Sequence, residues 1–224
     1  ITAVPKKSDP MPSDDQASNT EISSDRVLRA ITDDDTFRVI TASTTQLVKQ
    51  ALQTQTVSGQ TASHFGAFLT GTILIRETMA PDYRVQGVLK GVNGRGTLTA
   101  DSYPDGLTRG LVELPSDVEH FELGAGSVLQ MMRMVTNGRI SRGLVQPPDN
   151  GTVAQALMTY MQESEQVVSV IRTGISWQND AVQHAGGFVI QLLPDADRGA
   201  LMIMTERLET LPAIEPLLET TSGS

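Results

Sequence analysis

The chain has 224 residues and a 39% apolar fraction, which together with its 19 Gly falls in the range of globular proteins and excludes a wholly disordered chain. With 0 Cys it has neither a disulfide framework nor a thiolate metal site, and at 4% aromatic content a base-stacking nucleic-acid platform is not expected. The formal net charge of −9 sits in the flanks: residues 1–35 carry four bases against eight acids, and residues 200–224 carry one base against four acids. A phosphate backbone meets no basic stripe, so no nucleic-acid partner is expected.

Residues 1–25 read as a disordered acidic leader, with Pro5, Pro10 and Pro12 set among Ser, Asp, Thr and Asn. The leader has no apolar signal core, and it starts with Ile1 rather than Met, which suggests trimming or processing. Order is expected from about Arg26, with a first strand at Phe37-Arg38-Val39-Ile40. Ser43-Thr44-Thr45-Gln46 is a capping-box pattern, and Leu47, Val48, Ala51 and Leu52 then share a helical face. A second helix is predicted over Thr61–Thr78, with Gly66 and Gly71 either weakening it or admitting a close neighbour. Its apolar run Phe65–Ile75 is about half the roughly 20 residues that a membrane span needs.

From Tyr83 the period changes to two. Val85, Gly87 and Leu89 alternate with polar residues, and Asn93-Gly94 signals a hairpin. Strands follow at about Gly96–Asp101 and Thr108–Leu114, joined by Pro104-Asp105-Gly106. Ser127–Val135 and Arg139–Val145 repeat the pattern around Asn137-Gly138, which together reads as a meander of antiparallel hairpins. After the break at Pro147-Pro148, Thr152 and Gln155 form a second capping box, heading a helix with Val153, Leu157, Tyr160, Met161 and Ser164 at helical spacing. Val167–Trp177 and Ala181–Leu193 are two long strands joined at Gln178-Asn179-Asp180, with Gly186-Gly187 marking a bulge or a close backbone contact. Arg198–Leu211 is helical, and Pro212 and Pro216 are expected to end regular structure. The fold class is α+β, with helices packed against a large, mostly antiparallel sheet.

Chemical motifs are few. Gly91–Gly96 and Gly124–Gly126 precede strands rather than helices, so they are turns and not phosphate cradles. His64, His120 and His184 are scattered, which gives no expected metal site. Ser164-Glu165 could pair as nucleophile and base, but adjacent residues at a helix end face apart, so a structural role is favoured. Asp101 and Glu113 show no paired acid–base arrangement, so an enzyme is not expected. The methionines stand out: Met131, Met132 and Met134 on one strand, Met158 and Met161 on one helix, and Met202 and Met204 near the last helix. Flexible thioethers suit promiscuous apolar surfaces, and the alternative is that they fill the core.

The stretch Glu163-Ser164-Glu165-Gln166 followed by Ala185-Gly186-Gly187-Phe188-Val189-Ile190-Gln191-Leu192-Leu193-Pro194 resembles the heat-shock protein 33 family of redox-regulated holdase chaperones. Arg38-Val39-Ile40 through Thr44-Thr45-Gln46-Leu47-Val48, Gly87-Val88-Leu89-Lys90-Gly91 and Arg109-Gly110-Leu111-Val112 extend the likeness over about Arg26–Leu211. The resemblance implies a stress-response chaperone core over 26–197, often dimeric, which holds unfolding client proteins through apolar surface without ATP. It implies that 198–224 is a linker helix and tail. Family members carry a C-terminal Cys-x-Cys and Cys-x-x-Cys zinc domain that acts as a redox switch. This sequence, with no Cys, is expected to lack that domain, so no cofactor is expected in the chain itself.

Candidate client-binding residues are Met131, Met132, Met134, Leu201, Met202 and Met204, with Leu201, Met202 and Met204 as cover residues. Unfolded proteins and a second copy of the chain are the expected partners, with no membrane. The expected location is the cytoplasm, or alternatively a eukaryotic organelle. The rival function is a structural or dimerising module that kept the fold without client binding.

Overall fold

A computed structural model describes residues 25–135, 138–194 and 198–220. The leader expected over 1–25 therefore lies outside the described residues except for Asp25, as does Asn137 of the second hairpin turn. The elements are β1 (Arg26–Ile31), β2 (Phe37–Ser43), α1 (Thr45–Gln53), α2 (Gly59–Thr78), β3 (Arg84–Lys90), β4 (Thr97–Ser102), β5 (Thr108–Glu113), β6 (Val128–Met134), β7 (Ile140–Val145), α3 (Val153–Glu163), β8 (Ser169–Gln178), β9 (Ala181–Leu192), α4 (Arg198–Glu209) and α5 (Ile214–Thr220).

The strands form two antiparallel sheets, ordered β1-β2-β9-β8 and β5-β4-β3-β6-β7. The α+β class with helices against antiparallel strands is the one expected. The second sheet is not a plain meander, because β6 pairs with the free side of β3 rather than with β5. The long segment between β5 and β6 makes that crossing possible. Its Phe121 is fully buried, and the Phe121 backbone N–H donates to Thr61 Oγ1 at 2.8 Å, which pins the crossing segment to the start of α2.

Helix α2 is the axis of the fold. It is apolar around its circumference, as a helix buried between layers must be. Phe65, Phe68, Leu69 and Leu74 are all 0% exposed. Glycines on the surrounding elements make the fit possible. A Cβ at Gly87 of β3 would lie 2.7 Å from Phe68, and one at Gly110 of β5 would lie 2.7 Å from Phe65. On the other side, a Cβ at Gly187 of β9 would lie 3.1 Å from Leu74. Gly66 and Gly71 within α2 likewise admit Ile175 and Leu157. The expectation that these glycines allow close neighbours is met, and the helix is not interrupted at either.

Several local expectations change. Strand β1 was not foreseen. It is an edge strand whose residues are mostly exposed, so it lacks an apolar alternation. The first capping box does not form. Ser43 belongs to β2, and the hydroxyl of the N-cap residue Thr44 is engaged with Thr70 at 2.7 Å. Asp25 replaces the box, with its carboxylate accepting from the backbone N–H groups of Gln46 at 2.9 Å and Leu47 at 2.7 Å. A carboxylate complements the positive end of a helix better than a hydroxyl does. The second box forms as read: Thr152 Oγ1 accepts from Gln155 N–H, and Gln155 Oε1 accepts from Thr152 N–H.

The irregularity between β8 and β9 falls at Ser176/Trp177 rather than at Gly186-Gly187. The two glycines serve instead as close contacts, since a Cβ at Gly186 would meet the Ala42 carbonyl at 2.6 Å and one at Gly187 the Arg172 carbonyl at 2.5 Å. Pro212 and Pro216 do not end regular structure, because α5 follows Pro212 and contains Pro216 in its first turn. A first-turn proline costs nothing there, as its missing N–H would have no helical partner.

Candidate functional site

The four-stranded sheet has two unlike faces. Alternation along β2, β8 and β9 turns Ile40, Ile171 and Val189 toward α2, where they are 0–1% exposed. The opposite face carries Val39, Phe188, Ile190 and Val170, all half-buried. Val39, Ile190 and Val170 stand side by side in the strand register, with Ile190 between the other two. This row is apolar, while Thr41 and Arg172 flank Phe188 on the same face; among the described residues α5 lies over its Gly174–Gly186 end, and α4 reaches it at Arg172.

The cover is seated on glycines. A Cβ at Gly174 of β8 would lie 2.4 Å from Ile214, and one at Gly186 of β9 would lie 2.8 Å from Leu218. Ile214 is buried to 7% exposure, while Leu217 and Leu218 are half-buried. A cavity of about 240 Å3 remains beneath α5, lined by Leu28, Thr41, His184, Phe188, Leu217 and Leu218 among others. Helix α4 is held through Arg172, whose Nη2 donates to the Leu208 carbonyl at 3.2 Å. An apolar face under a short helical cover is an arrangement that can open without disturbing the α2 core. The core residues face the other way, and α5 spans only seven residues.

The methionines predicted to bind clients do not form one surface. Met131 is fully buried and Met204 is 7% exposed, so in this conformation both are core side chains. Register explains Met131: it pairs with Gly87, and its thioether fills the space left by the missing side chain. Met132 and Met134 are half-buried on the other face of the five-stranded sheet, in register with Arg142 and Ile140 of β7. Met202 lies on α4, 74% exposed, next to Ile203 at 54%. The Leu201 side chain is outside the described part of the structure. Phe188, Ile190, Val170 and Val39, the apolar residues of the outer face, were not singled out from the sequence. The available signal was β9 itself, where Val189 and its neighbours are apolar on both faces, a pattern that requires cover on both sides.

The remaining polar candidates are structural. Asp101 is almost fully buried on β4. It accepts from Arg84 Nε and Nη2 at 2.7 and 2.6 Å and from Arg109 Nε at 3.2 Å. Burial pushes its pKa up, but the Arg84 and Arg109 hydrogen bonds outweigh burial and hold it below the ordinary carboxylate value. Glu165 accepts from the Tyr160 hydroxyl and pairs with Arg133 Nη1 at 2.8 Å, so it ties α3 to β6 rather than activating Ser164. Burial, followed by that carboxylate, raises the Tyr160 pKa. There is no Cys, and among the described residues no three His, Asp or Glu side chains converge. No helix among them is long and apolar enough to cross a membrane.

Comparison with known proteins agrees with this architecture. A family model described as Hsp33 protein matches residues 25–224. The 33 kDa chaperonin of Clostridioides difficile (strain 630) is 29% identical over 205 residues, covering 87% of this chain and 70% of that protein. A 33 kDa chaperonin of Thermus thermophilus is 27% identical over 205 residues, covering 86% of this chain and 60% of that protein. The crystal structure of the 33 kDa chaperonin from Thermotoga maritima superposes with a TM-score of 0.74 at 22% identity, covering 87% of this chain and 70% of that one. The chain thus spans between 60% and 70% of the length of these relatives.

Proposed function

This chain belongs to the Hsp33 family, and we propose that it is an ATP-independent holdase, a non-enzymatic chaperone that binds unfolding proteins and keeps them from aggregating. The observation that carries this reading is the apolar row on the outer face of the four-stranded sheet, continued by Phe188, which lines the cavity beneath the glycine-seated helix α5. The relatives' name, 33 kDa chaperonin, agrees with it.

The mechanism is burial. Each square ångström of apolar client surface removed from water contributes roughly 25 cal/mol, and because burial is non-directional it accepts many sequences. Lifting α5 exposes Phe188, next to the Val39–Ile190–Val170 row on the same face, and an extended apolar client segment takes the place of Ile214 and Leu218. Met202 and Ile203, already exposed on α4, extend the surface. The formal net charge of −9 keeps the loaded complex soluble through repulsion between copies. Nothing in this cycle uses nucleotide. Control resides in whatever displaces α5, and with no Cys in the chain a thiol switch would have to act from outside these 224 residues.

The test is suppression of light scattering from a guanidinium-unfolded malate dehydrogenase diluted into buffer. Suppression by the chain at a few-fold molar excess, unchanged by added ATP, is the expected result. No suppression under either oxidising or reducing conditions overturns the proposal.

A further inference from the structure

We propose that the cleft where β1 meets the C-terminal end of α2 binds a small organic anion, a carboxylate or phosphate monoester carrying a short apolar body. The cleft encloses about 670 Å3 and is lined by Arg29, Arg38 and Arg76 together with Glu77, Met79 and Pro81 among others. Strand alternation places Arg29 of β1 and Arg38 of β2 on the same sheet face, the one that packs on α2, and the last turn of α2 supplies Arg76 and Glu77.

The charges do not balance. Both Arg29 and Arg76 pair with the single carboxylate of Glu77. Arg38 uses one N–H on the Thr78 carbonyl at 3.2 Å, at the negative end of the helix. Asp105, in the turn beside the cleft, also acts on Arg76. Three guanidinium groups against two carboxylates and the partial negative charge of the helix end leave a small net positive charge in an acidic protein. Arg76 is only 6% exposed, and among the described residues its Nε has no hydrogen-bond partner; the neighbouring buried Glu77 Oε2 has only its ion pair with Arg29. A buried guanidinium with an unused donor is costly unless an acceptor arrives. Guanidinium forks match the planar carboxylate and the phosphate oxygens.

The walls define the rest of the ligand. Ile31, Met79, Pro81 and Pro104 line the same cleft and offer no charge. A bare inorganic anion leaves them wet, whereas an anion with an alkyl or aryl body covers them. The site lies on the α2-facing side of β1, so it does not depend on α5 or on the client-binding reading.

Isothermal titration and amide chemical-shift mapping on the 224-residue chain test this with hexyl phosphate, hexanoate, inorganic phosphate and phosphatidate-containing vesicles. Saturable binding of both hexyl anions is expected, with shifts centred on Arg29, Ile31, Arg38, Glu77 and Met79, and with inorganic phosphate weaker by about tenfold. Arg38→Gln is expected to weaken the hexyl anions about tenfold. Arg29→Gln, at a position 55% exposed in its side chain, is expected to do the same without threatening the fold. Arg95→Gln, in a distant exposed pair with Asp117, is expected to change nothing. The proposal is overturned by absent saturation with the hexyl anions, by shifts insensitive to both cleft variants, or by binding to the vesicles alone.

Discussion

Ile214 of α5 rests directly on the backbone of Gly174 in β8: a side chain at that glycine would begin 2.4 Å from the isoleucine Cγ2. The contact makes one position in the sheet a sensor of whether the cover is seated. Gly174→Val is therefore expected to lift α5 while leaving the α2 core intact, at a cost of about 1–3 kcal/mol for the overpacked contact. Binding of a hydrophobic fluorescent dye and proteolytic cleavage within 210–220 should both increase, together with suppression of client aggregation. Unchanged dye binding would show that the face beneath α5 is not the one that opens.

The client surface itself is tested by Phe188→Ser combined with Ile190→Ser. Both side chains are half-buried on the covered face and pack away from α2. In a Gly174→Val background the pair should lower holdase activity several-fold, since each lost apolar side chain removes about 1.5–3 kcal/mol of transferable surface. Met132→Ser, on the other sheet, should leave that activity unchanged. Light scattering distinguishes the two variants.

Phe68 joins the two sheets through α2, fully buried and lodged where Gly87 has no side chain. Phe68→Ala is expected to destabilise the fold by about 3–5 kcal/mol, measured as a lower urea midpoint with little change in slope. A loss well under 1 kcal/mol would mean that the helix is not the axis of the core.

The Asp25 carboxylate caps α1 by accepting from two backbone N–H groups. Asp25→Ala should cost about 0.5–2 kcal/mol, and Asp25→Asn or Asp25→Ser should recover most of it. Thermal melts of the three variants test the assignment. Equal losses in all three would show that the side chain acts in some way other than as a cap.

Acid stability should depend on Asp101. Its folded pKa lies below the ordinary value because Arg84 and Arg109 hold it ionised despite burial. The sign follows from linkage: a depressed carboxylate contributes stability that is complete above its unfolded value, near 3.8, and is lost as pH falls through the lower folded value. The melting temperature of the native chain should thus fall more steeply below about pH 4 than that of Asp101→Asn, which is already weakened at neutral pH. Parallel curves for the two proteins would contradict this.

Much of the local structure could be read from residue order, and the reasons are local. Alternation of Val85, Gly87 and Leu89 specified β3, and Asn93 with Gly94 specified its turn, where both residues adopt positive φ of 54° and 72°. Thr152 and Gln155 specified the start of α3, because the reciprocal bonds of a capping box span only three residues. The family likeness in the Glu163–Gln166 and Ala185–Pro194 stretches pointed to the fold that the comparisons then showed. By contrast, β1 left no trace, because an edge strand paired on one side need not bury a face.

Composition and short-range pattern thus determined an antiparallel α+β chain with no thiol chemistry, and most of its turns and helix starts, since each rests on a backbone preference or a side chain within four residues. The partition into two sheets, the burial of Met131 and Met204, the seating of α5 on Gly174 and Gly186, and the gathering of Arg29, Arg38 and Arg76 were decided only in three dimensions. The burial of Met131 and the seating of α5 depend on which glycine faces which side chain, and all of these depend on partners brought together across long separations, which residue order does not record until α2 has brought both sheets around itself.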